Sequence, residues 1–456
     1  MAEQEGTAPS AQGNGSCPLK VNFDWNWTLK LRSRQVLALH LKRGTAELFG
    51  TELAEGYPYT FEPGRKLAIF SWHGCTLSVT GKPTVAYTAE ETPMRSYLNL
   101  HLALQQLRDA AKDAYGGLGE GPKVMILGPP DVGKTALSHI LVNYAVKQGS
   151  RPLLIDIDTN EGGSLTLPGC LAAAPISRPI DIEDGLGASA IVTGATPAVW
   201  YYGYPTPLEK KDMYKLLTTR IAESVKTKMQ EDPLVRLSGL IIDTPSQFVD
   251  PQSESLLVHA IEAFGVNAIL VVANERLYAK LSQQYGRQPN ISVVKLAKSG
   301  GVVDRNQVYR RSLTSRRIRE YFYGTPKSEL SPHSSTLPFS ELVIRRVGFE
   351  GALAPSSALP IGMERTLNET RLSRVEPSSI LLQSILAVSN ASLPELGSRV
   401  QSSKEEEDSV LGSNVAGFLH VSDVDDLKKK ITILAPNPGR LPRKYIIMGA
   451  LKWVEM

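Results

Sequence analysis

The chain has 456 residues, length for about three domains at roughly 150 residues each. Hydrophobic residues make up 42% and charged residues 21%, which excludes a wholly disordered chain, a collagen-like chain and a coiled-coil rod. Lys plus Arg number 50 against 46 Asp plus Glu, a net charge of +4, so any contact with nucleic acid is a local patch and not a bulk attraction.

Residues 1–18 are small and polar and read as a disordered tail, with no apolar segment of the kind a secretory signal needs. From Asn22 to Tyr87 short alternating runs follow one another, at Leu29–Leu31, Val36–Leu41, Tyr57–Phe61, Lys66–Ser71, Thr76–Val79 and Thr84–Tyr87. Turn residues such as Pro63-Gly64 and His73-Gly74 separate them, which predicts an N-terminal β-sandwich over 19–93. Leu98, Leu102, Leu104 and Leu107 then recur at helical spacing in a connector helix, Met94–Tyr115, stopped by Gly116-Gly117.

A central unit is predicted over 94–326, counting the connector helix. Strands are expected at Lys123–Leu127, Pro152–Asp156, Gly239–Asp243, Asn267–Val272 and Ile291–Leu296, and helices at Lys134–Lys147, Glu209–Lys228 and Ser253–Phe264. Continuous apolar strands alternating with helices predict a parallel sheet covered on both faces. A mixed α/β unit is expected over 327–456, with a loop at Lys327–Ser340 and a solvated acidic loop at Ser402–Asp408. The fold class is therefore multidomain α/β, a sandwich, a P-loop NTPase sheet and a mixed domain in that order.

The cysteines, Cys17, Cys75 and Cys170, are too scattered for a disulfide framework or a zinc site and read as idle thiols in a reducing compartment. Apolar runs such as Ala268–Ala273 are far short of a membrane span. A soluble nuclear or cytosolic protein is expected, with no membrane partner.

Gly128-Pro-Pro-Asp-Val-Gly133-Lys134-Thr135 fits G-x-x-x-x-G-K-[ST] and sits between a strand and a helix, as the motif requires. The loop's amides suit phosphate oxygens, Lys134 suits the β and γ phosphates, and Thr135 suits Mg²⁺. Asp243 closes an apolar strand, a position suited to outer-shell Mg²⁺ coordination. Asp156 and Asp158 close the strand expected beside the P-loop. Asp158 is the candidate base, because the chain leaves the strand there; solvated strand-end acids are the bland reading. Six arginines between Arg305 and Arg319 suit a phosphate lid, a nucleic-acid contact or a solvated helix face.

Six strings follow one another in order: Gly44-Thr-Ala-Glu-Leu-Phe-Gly50-Thr-Glu-Leu53, Phe70-Ser-Trp72-His-Gly74-Cys75, the P-loop, Leu167-Pro168-Gly169, Lys298-Ser-Gly-Gly-Val-Val303 and Ile318-Arg-Glu-Tyr-Phe-Tyr-Gly324. Together they resemble the polynucleotide 5′-hydroxyl kinase family, and within it the fungal-like branch that forms the Clp subunit of the pre-mRNA cleavage and polyadenylation factor. The resemblance implies a nuclear ATP-binding subunit, required for endonucleolytic cleavage during pre-mRNA 3′-end formation, with bound Mg²⁺. It implies as partners the polymerase-tail-binding subunit of cleavage factor IA and other subunits of the complex, with pre-mRNA contacted indirectly. Carried over by position, the nucleotide contacts are Lys66, Asp131, Val132, Gly133, Lys134, Thr135 and Ala136. An N-terminal acid against adenine falls on Asn26, a departure.

Two further departures concern catalysis. The turn after the candidate acid is Asp158-Thr-Asn-Glu-Gly-Gly163, one residue longer than the active pattern Asp-x-Gly-Gln-Gly and lacking its Gln. Where active members carry a Trp that stacks the terminal base, the string is Asp243-Thr-Pro-Ser-Gln247-Phe248. A base stack is worth about 1–3 kcal/mol, and a shift of about 1 Å in a reacting group can cost on the order of a hundredfold in rate. The expectation is a subunit that keeps ATP as a structural ligand with little or no catalysis. An ATP-dependent polyribonucleotide 5′-hydroxyl kinase is the alternative.

Overall fold

The computed structural model describes residues 17–21, 26–30, 36–81, 83–89, 91–114, 118–160, 165–185, 196–347, 370–392, 403–439, 441 and 444–455. At the N-terminus two sheets face each other. One has four strands in the order Cys17–Val21, Cys75–Thr80, Leu37–Gly44, Pro58–Phe61. The other has five, in the order Thr51–Glu52, Glu47–Leu48, Lys66–Phe70, Asn26–Lys30, Val85–Ala89. The period-two pattern turns Leu37, Leu39, Leu41, Leu67, Ile69 and Leu77 into one buried layer. This is the expected β-sandwich. The stretch read as a tail ends inside its first strand, which pairs antiparallel with Cys75–Thr80; residues 1–16 lie outside the described residues.

The central sheet has seven strands, in the order Ala198–Tyr201, Cys170–Pro175, Leu153–Asp156, Leu240–Asp243, Lys123–Leu127, Ala268–Val272, Ser292–Leu296. The last five run parallel, and the first two are antiparallel additions at one edge. The sheet is thus parallel-rich and not purely parallel. Cys170–Pro175 and Ala198–Tyr201 carry no clear turn-bounded pattern of their own, and they are buried because other elements cover them. The P-loop helix Lys134–Lys147 buries residues around most of its circumference, because the sheet lies on one side and the sandwich on the other.

The C-terminal part is a seven-stranded sheet, antiparallel except where Ile344–Val347 runs parallel to Lys444–Lys452. Its edge strand, His333–Pro338, lies in the stretch expected to be a loop; it pairs with Lys430–Ala435 along its whole length. Pairing partners distant in sequence give no local signal of this kind. The acidic stretch expected to be a solvated loop is also different: it opens the helix Ser403–Gly412, which buries Val410 and Leu411 and pairs Glu406 with Arg345. Lys and Glu are good helix formers, and the two apolar residues anchor the turn they build. Cys75 and Cys170 are buried free thiols, each raised in pKa by burial. Among the described residues no helix is long and apolar enough to cross a membrane.

The antiparallel edge of the central sheet carries the C-terminal sheet. Tyr201 donates to the Ile385 carbonyl at 3.2 Å and Tyr204 to the Val347 carbonyl at 2.8 Å. Ala450 N donates to the Gly203 carbonyl at 2.7 Å, so two backbones cross without side chains between them. A Cβ at Gly449 would sit 2.5 Å from the Gly203 Cα. Gly449→Ala should therefore cost about 1–3 kcal/mol or more by overpacking. A lowered melting temperature, with earlier proteolytic release of the C-terminal part, checks this; an unchanged melt would show that the crossing can yield.

Candidate functional site

The site begins with a loop that ends a strand and starts a helix. Lys123–Leu127 delivers the chain to Gly128, where a Cβ would meet the Val272 carbonyl at 2.7 Å. Asp131 and Gly133 take left-handed φ values of +54° and +88°. The helix starts after Gly133 with no side-chain cap. Two other helices are capped by Asn274 and Asn306, whose side chains accept from Leu277 N and Tyr309 N. The open amides at the P-loop helix leave an anion-binding end. Lys134 Nζ donates to the carbonyls of Gly128 and Pro129, both at 3.1 Å. Burial lowers its pKa, against the opposing charges of Asp243, Asp158 and Asp131.

A cleft opens beside this loop. One end is apolar, lined by Phe49, Phe70, Met94, Tyr97 and Ile140; the other presents Lys134, Thr135, Asp158 and Arg305. That division suits a flat base at one end and phosphates at the other. Asp131, Val132, Gly133 and Ala136 also line it, so the structure brings all six P-loop positions to one wall. Lys66 reaches the cleft from the opposite wall. Its Nζ donates to the carbonyls of Asp304, at 2.9 Å, and Val303, at 3.3 Å, and lies 4.5 Å from the centre of the Tyr309 ring. Asn26 lies in a strand paired with Lys66–Phe70, but its side chain is outside the described residues.

The metal-ligand candidates meet directly. Thr135 Oγ1 donates to Asp243 Oδ2 at 2.5 Å. Among the described residues Asp243 Oδ1 is buried without a hydrogen-bond partner, and burial raises the pKa of this carboxyl against the Thr135 bond. A hydroxyl beside an unsatisfied carboxylate oxygen at the phosphate end fits a Mg²⁺ ion and its waters.

Asp158 lines the same end, and its carboxylate accepts from Asn160 N at 3.0 Å. Burial pushes its pKa up to about 6, with Asp243 adding to the shift and the Asn160 bond opposing it. Glu161, Gly162 and Gly163, the remainder of the lengthened turn, lie outside the described residues. Phe248 does not offer a stacking face. It is buried in the core with its ring edge-on to Tyr214. A short 3₁₀ turn, Ser246–Val249, points it inward.

The arginine run forms part of the helix Gln307–Tyr323 and divides among several surfaces. Arg310 Nη2 reaches Asp131 Oδ2 at 2.6 Å, and Arg305 N donates to the same oxygen at 2.9 Å. Arg316 pairs with Glu62 and Glu320, and Arg317 with Glu320. Arg311 and Arg319 face solvent. Arg305 and Arg310 thus sit against the P-loop through Asp131, whereas Arg311 and Arg319 fit the solvated-face reading. Sequence reasoning did not single out Tyr309, Tyr97 or Ser299 as cleft residues. The string Lys298–Val303 was the only local sign of the wall they help to build.

Three regions of the chain match known families: residues 20–111 the "N-terminal beta-sandwich domain of polyadenylation factor", 128–324 the "mRNA cleavage and polyadenylation factor CLP1 P-loop", and 330–455 the "Pre-mRNA cleavage complex II protein Clp1". Over 447 residues the chain is 39% identical to "Protein CLP1 homolog" of Arabidopsis thaliana, covering 97% of this chain and 96% of the relative. It is 35% identical over 427 residues to "Polyribonucleotide 5'-hydroxyl-kinase Clp1" of Gallus gallus, covering 94% of each. It also resembles, at 28% identity and a TM-score of 0.83, a solved structure describing an extended interface between Pcf11p and Clp1p and the basis of ATP loss in a point mutant. That likeness covers 97% of this chain and 100% of the other.

Asp158 supplies a pH test in nucleotide-free protein. A carboxyl whose pKa rises on folding stabilises the fold while protonated and loses that contribution as pH climbs through about 6. Asp158→Asn should match the unmodified chain below about pH 4 and exceed it at pH 8 by up to about 3 kcal/mol. Melting curves across that range check this; equal stability at pH 8 would mean that the carboxylate is solvated.

Proposed function

The chain belongs to the CLP1 family of mRNA cleavage and polyadenylation factors, and from that premise we propose that it is a nuclear ATP-binding subunit of the cleavage and polyadenylation complex, required for endonucleolytic cleavage, in which ATP with Mg²⁺ is a structural ligand. The carrying observation is the placement of Lys66. A lysine of the sandwich and the P-loop of the central sheet face one cleft from opposite walls. A nucleotide held by both would join the two parts of the chain, and its binding would add to their stability by linkage.

The joint has protein contacts of its own. Asn143 of the P-loop helix donates to the Phe49 carbonyl at 2.8 Å, and Lys147 pairs with Glu52. The nucleotide therefore reinforces an orientation that side chains already favour. It is a wedge between preformed walls, not the sole fastener. What it would offer the complex is a rigid surface for the polymerase-tail-binding subunit of cleavage factor IA. The Pcf11p–Clp1p interface of the solved relative supports a partner of that kind.

Two features support retention over transfer. Phe248 is in the core, so the acceptor side has no aromatic face from this position for a terminal base. Arg310 of the helix Gln307–Tyr323, and Arg305 just before it, are bonded to Asp131 of the P-loop itself. One feature favours the second reading, a polyribonucleotide 5′-hydroxyl kinase. Asp158 sits in the cleft with a pKa near 6, suited to accepting a proton from an attacking hydroxyl. In that reading Lys134 and the lid arginines would stabilise the moving phosphoryl.

Protein purified without added nucleotide should release ATP on denaturation, identified by mass. It should transfer little label from ATP to a 5′-hydroxyl RNA oligonucleotide. Robust labelling would establish the kinase reading, and folded protein devoid of nucleotide would remove the scaffold. Lys134→Ala should lose the nucleotide and weaken capture of the tail-binding subunit in proportion; undiminished capture would uncouple the two.

A further inference from the structure

We propose that Asp131 is a positioning residue that latches the segment 299–305 over the bound nucleotide and so sets how slowly the nucleotide leaves. The proposal deepens the scaffold reading and rests on it. Ser299, Gly301, Val302, Val303 and Arg305 form one wall of the cleft. This wall is a loop between the edge strand Ser292–Leu296 and the helix Gln307–Tyr323, so no sheet neighbour holds it on its outer side. Its closure depends on bonds made across the cleft.

Asp131 makes the central ones. One carboxylate oxygen accepts from the Arg305 amide at 2.9 Å and from Arg310 Nη2 at 2.6 Å, and Arg310 Nε returns to the Arg305 carbonyl at 3.2 Å. The three residues form a closed ring of charge-assisted bonds, which are stronger than neutral ones. Asp131 pays for its place with a left-handed backbone, φ +54°, a conformation that Asp tolerates better than most residues. Its carboxylate stands in the phosphate-binding loop, where negative charge would repel a triphosphate unless cations neutralise it; Arg305 and Arg310 do so.

The sandwich fastens the same wall from its far side. Lys66 holds the carbonyls of Val303 and Asp304, Tyr87 donates to the Gly300 carbonyl at 2.9 Å, and Tyr309 donates to the Gly64 carbonyl at 2.9 Å. These contacts to backbone carbonyls define where the wall lies. The half-buried ionic ring around Asp131 is the part that must break for the wall to lift away from the P-loop. An anion-coordinating arginine that is bound to the loop in this way also keeps the wall shut whatever the state of the γ-phosphate.

The test is the release of N-methylanthraniloyl-ATP from full-length protein, followed by stopped-flow fluorescence after mixing with excess ATP. Losing a half-buried bond between charged groups implies an off-rate raised roughly tenfold to a hundredfold in Asp131→Asn. Arg310→Gln should give a similar rise, the double variant little more than either, and Arg310→Lys a partial return. An off-rate within about twofold of the unmodified chain in both single variants would overturn the latch. Hydrogen exchange of residues 299–306 in nucleotide-free protein gives a second readout, independent of ligand. Faster exchange there in Asp131→Asn, with the P-loop helix unchanged, supports the latch, and unchanged exchange overturns it. If the unmodified chain takes up no adenine nucleotide, the scaffold reading fails and the exchange result alone decides the latch.

Discussion

Asn143 joins three parts of the chain, and the cleft depends on it. Its amide nitrogen donates to the Phe49 carbonyl of the sandwich, while its side-chain oxygen accepts from Ile180 N of the central unit. Next to it Tyr144 bonds Glu47, a buried carboxyl whose pKa burial raises. Gly50 completes the fit, since a Cβ there would come within 3.1 Å of the Ile140 backbone. A buried amide with both ends satisfied fixes a geometry, whereas half-satisfied it would cost stability. The sandwich hairpin is thereby keyed into the helix whose first turn holds the phosphate end. Phe49 and Glu47 of that hairpin then line the cleft. This gives a physical reason for the string Gly44–Leu53, which carries no chemistry of its own.

The two ends of the cleft have different origins. The phosphate end is built from neighbours in sequence, where one strand, one turn and one helix suffice. The apolar end collects Phe70 from the sandwich and Met94 and Tyr97 from the connector helix, and its far wall comes from residues around 299–305. Tyr97 illustrates the economy of the arrangement: its hydroxyl bonds the Ala297 carbonyl at 3.1 Å while its ring is buried. The connector helix thus positions the loop wall as well as linking two units.

What was legible in the sequence follows the same division. The P-loop, the apolar strands and the sandwich alternation are local patterns, and each formed where its period or spacing placed it. Asp243 could be read because it ends an apolar strand that the sheet places beside the P-loop strand. Features decided by distant partners were not legible. His333–Pro338 is a strand because Lys430–Ala435 lies alongside it. Cys170–Pro175 reverses direction at the sheet edge, and Ala198–Tyr201 reverses again beside it, for a similar reason. The arginine run showed its charge but not its partners, which are Asp131 and Glu62 far away in sequence. The burial of Phe248 was not legible either, because a four-residue turn decides which way the ring points, and such a turn has no reliable sequence sign.

Holding a nucleotide and spending it make opposed demands on one cleft. Transfer needs an acceptor side that opens, a lid whose arginines follow the moving charge, and a base whose proton affinity is matched to the attacking group. Here burial raises the Asp158 carboxyl into the range that the proposed kinase reading would need, while the helix that carries the arginines is held by contacts that resist motion. Arg316 is tied both to the sandwich, through Glu62 and the Pro63 carbonyl, and to Glu320 of its own helix. Moving that helix would break bonds to a separate unit of the chain, not merely flex a loop. Such bonds cost little in a protein that keeps its ligand, and they would slow every cycle of one that exchanges it. The proposed retention of nucleotide rests on these bonds, and the acid, the lysine and the phosphate loop stand beside them in the same cleft.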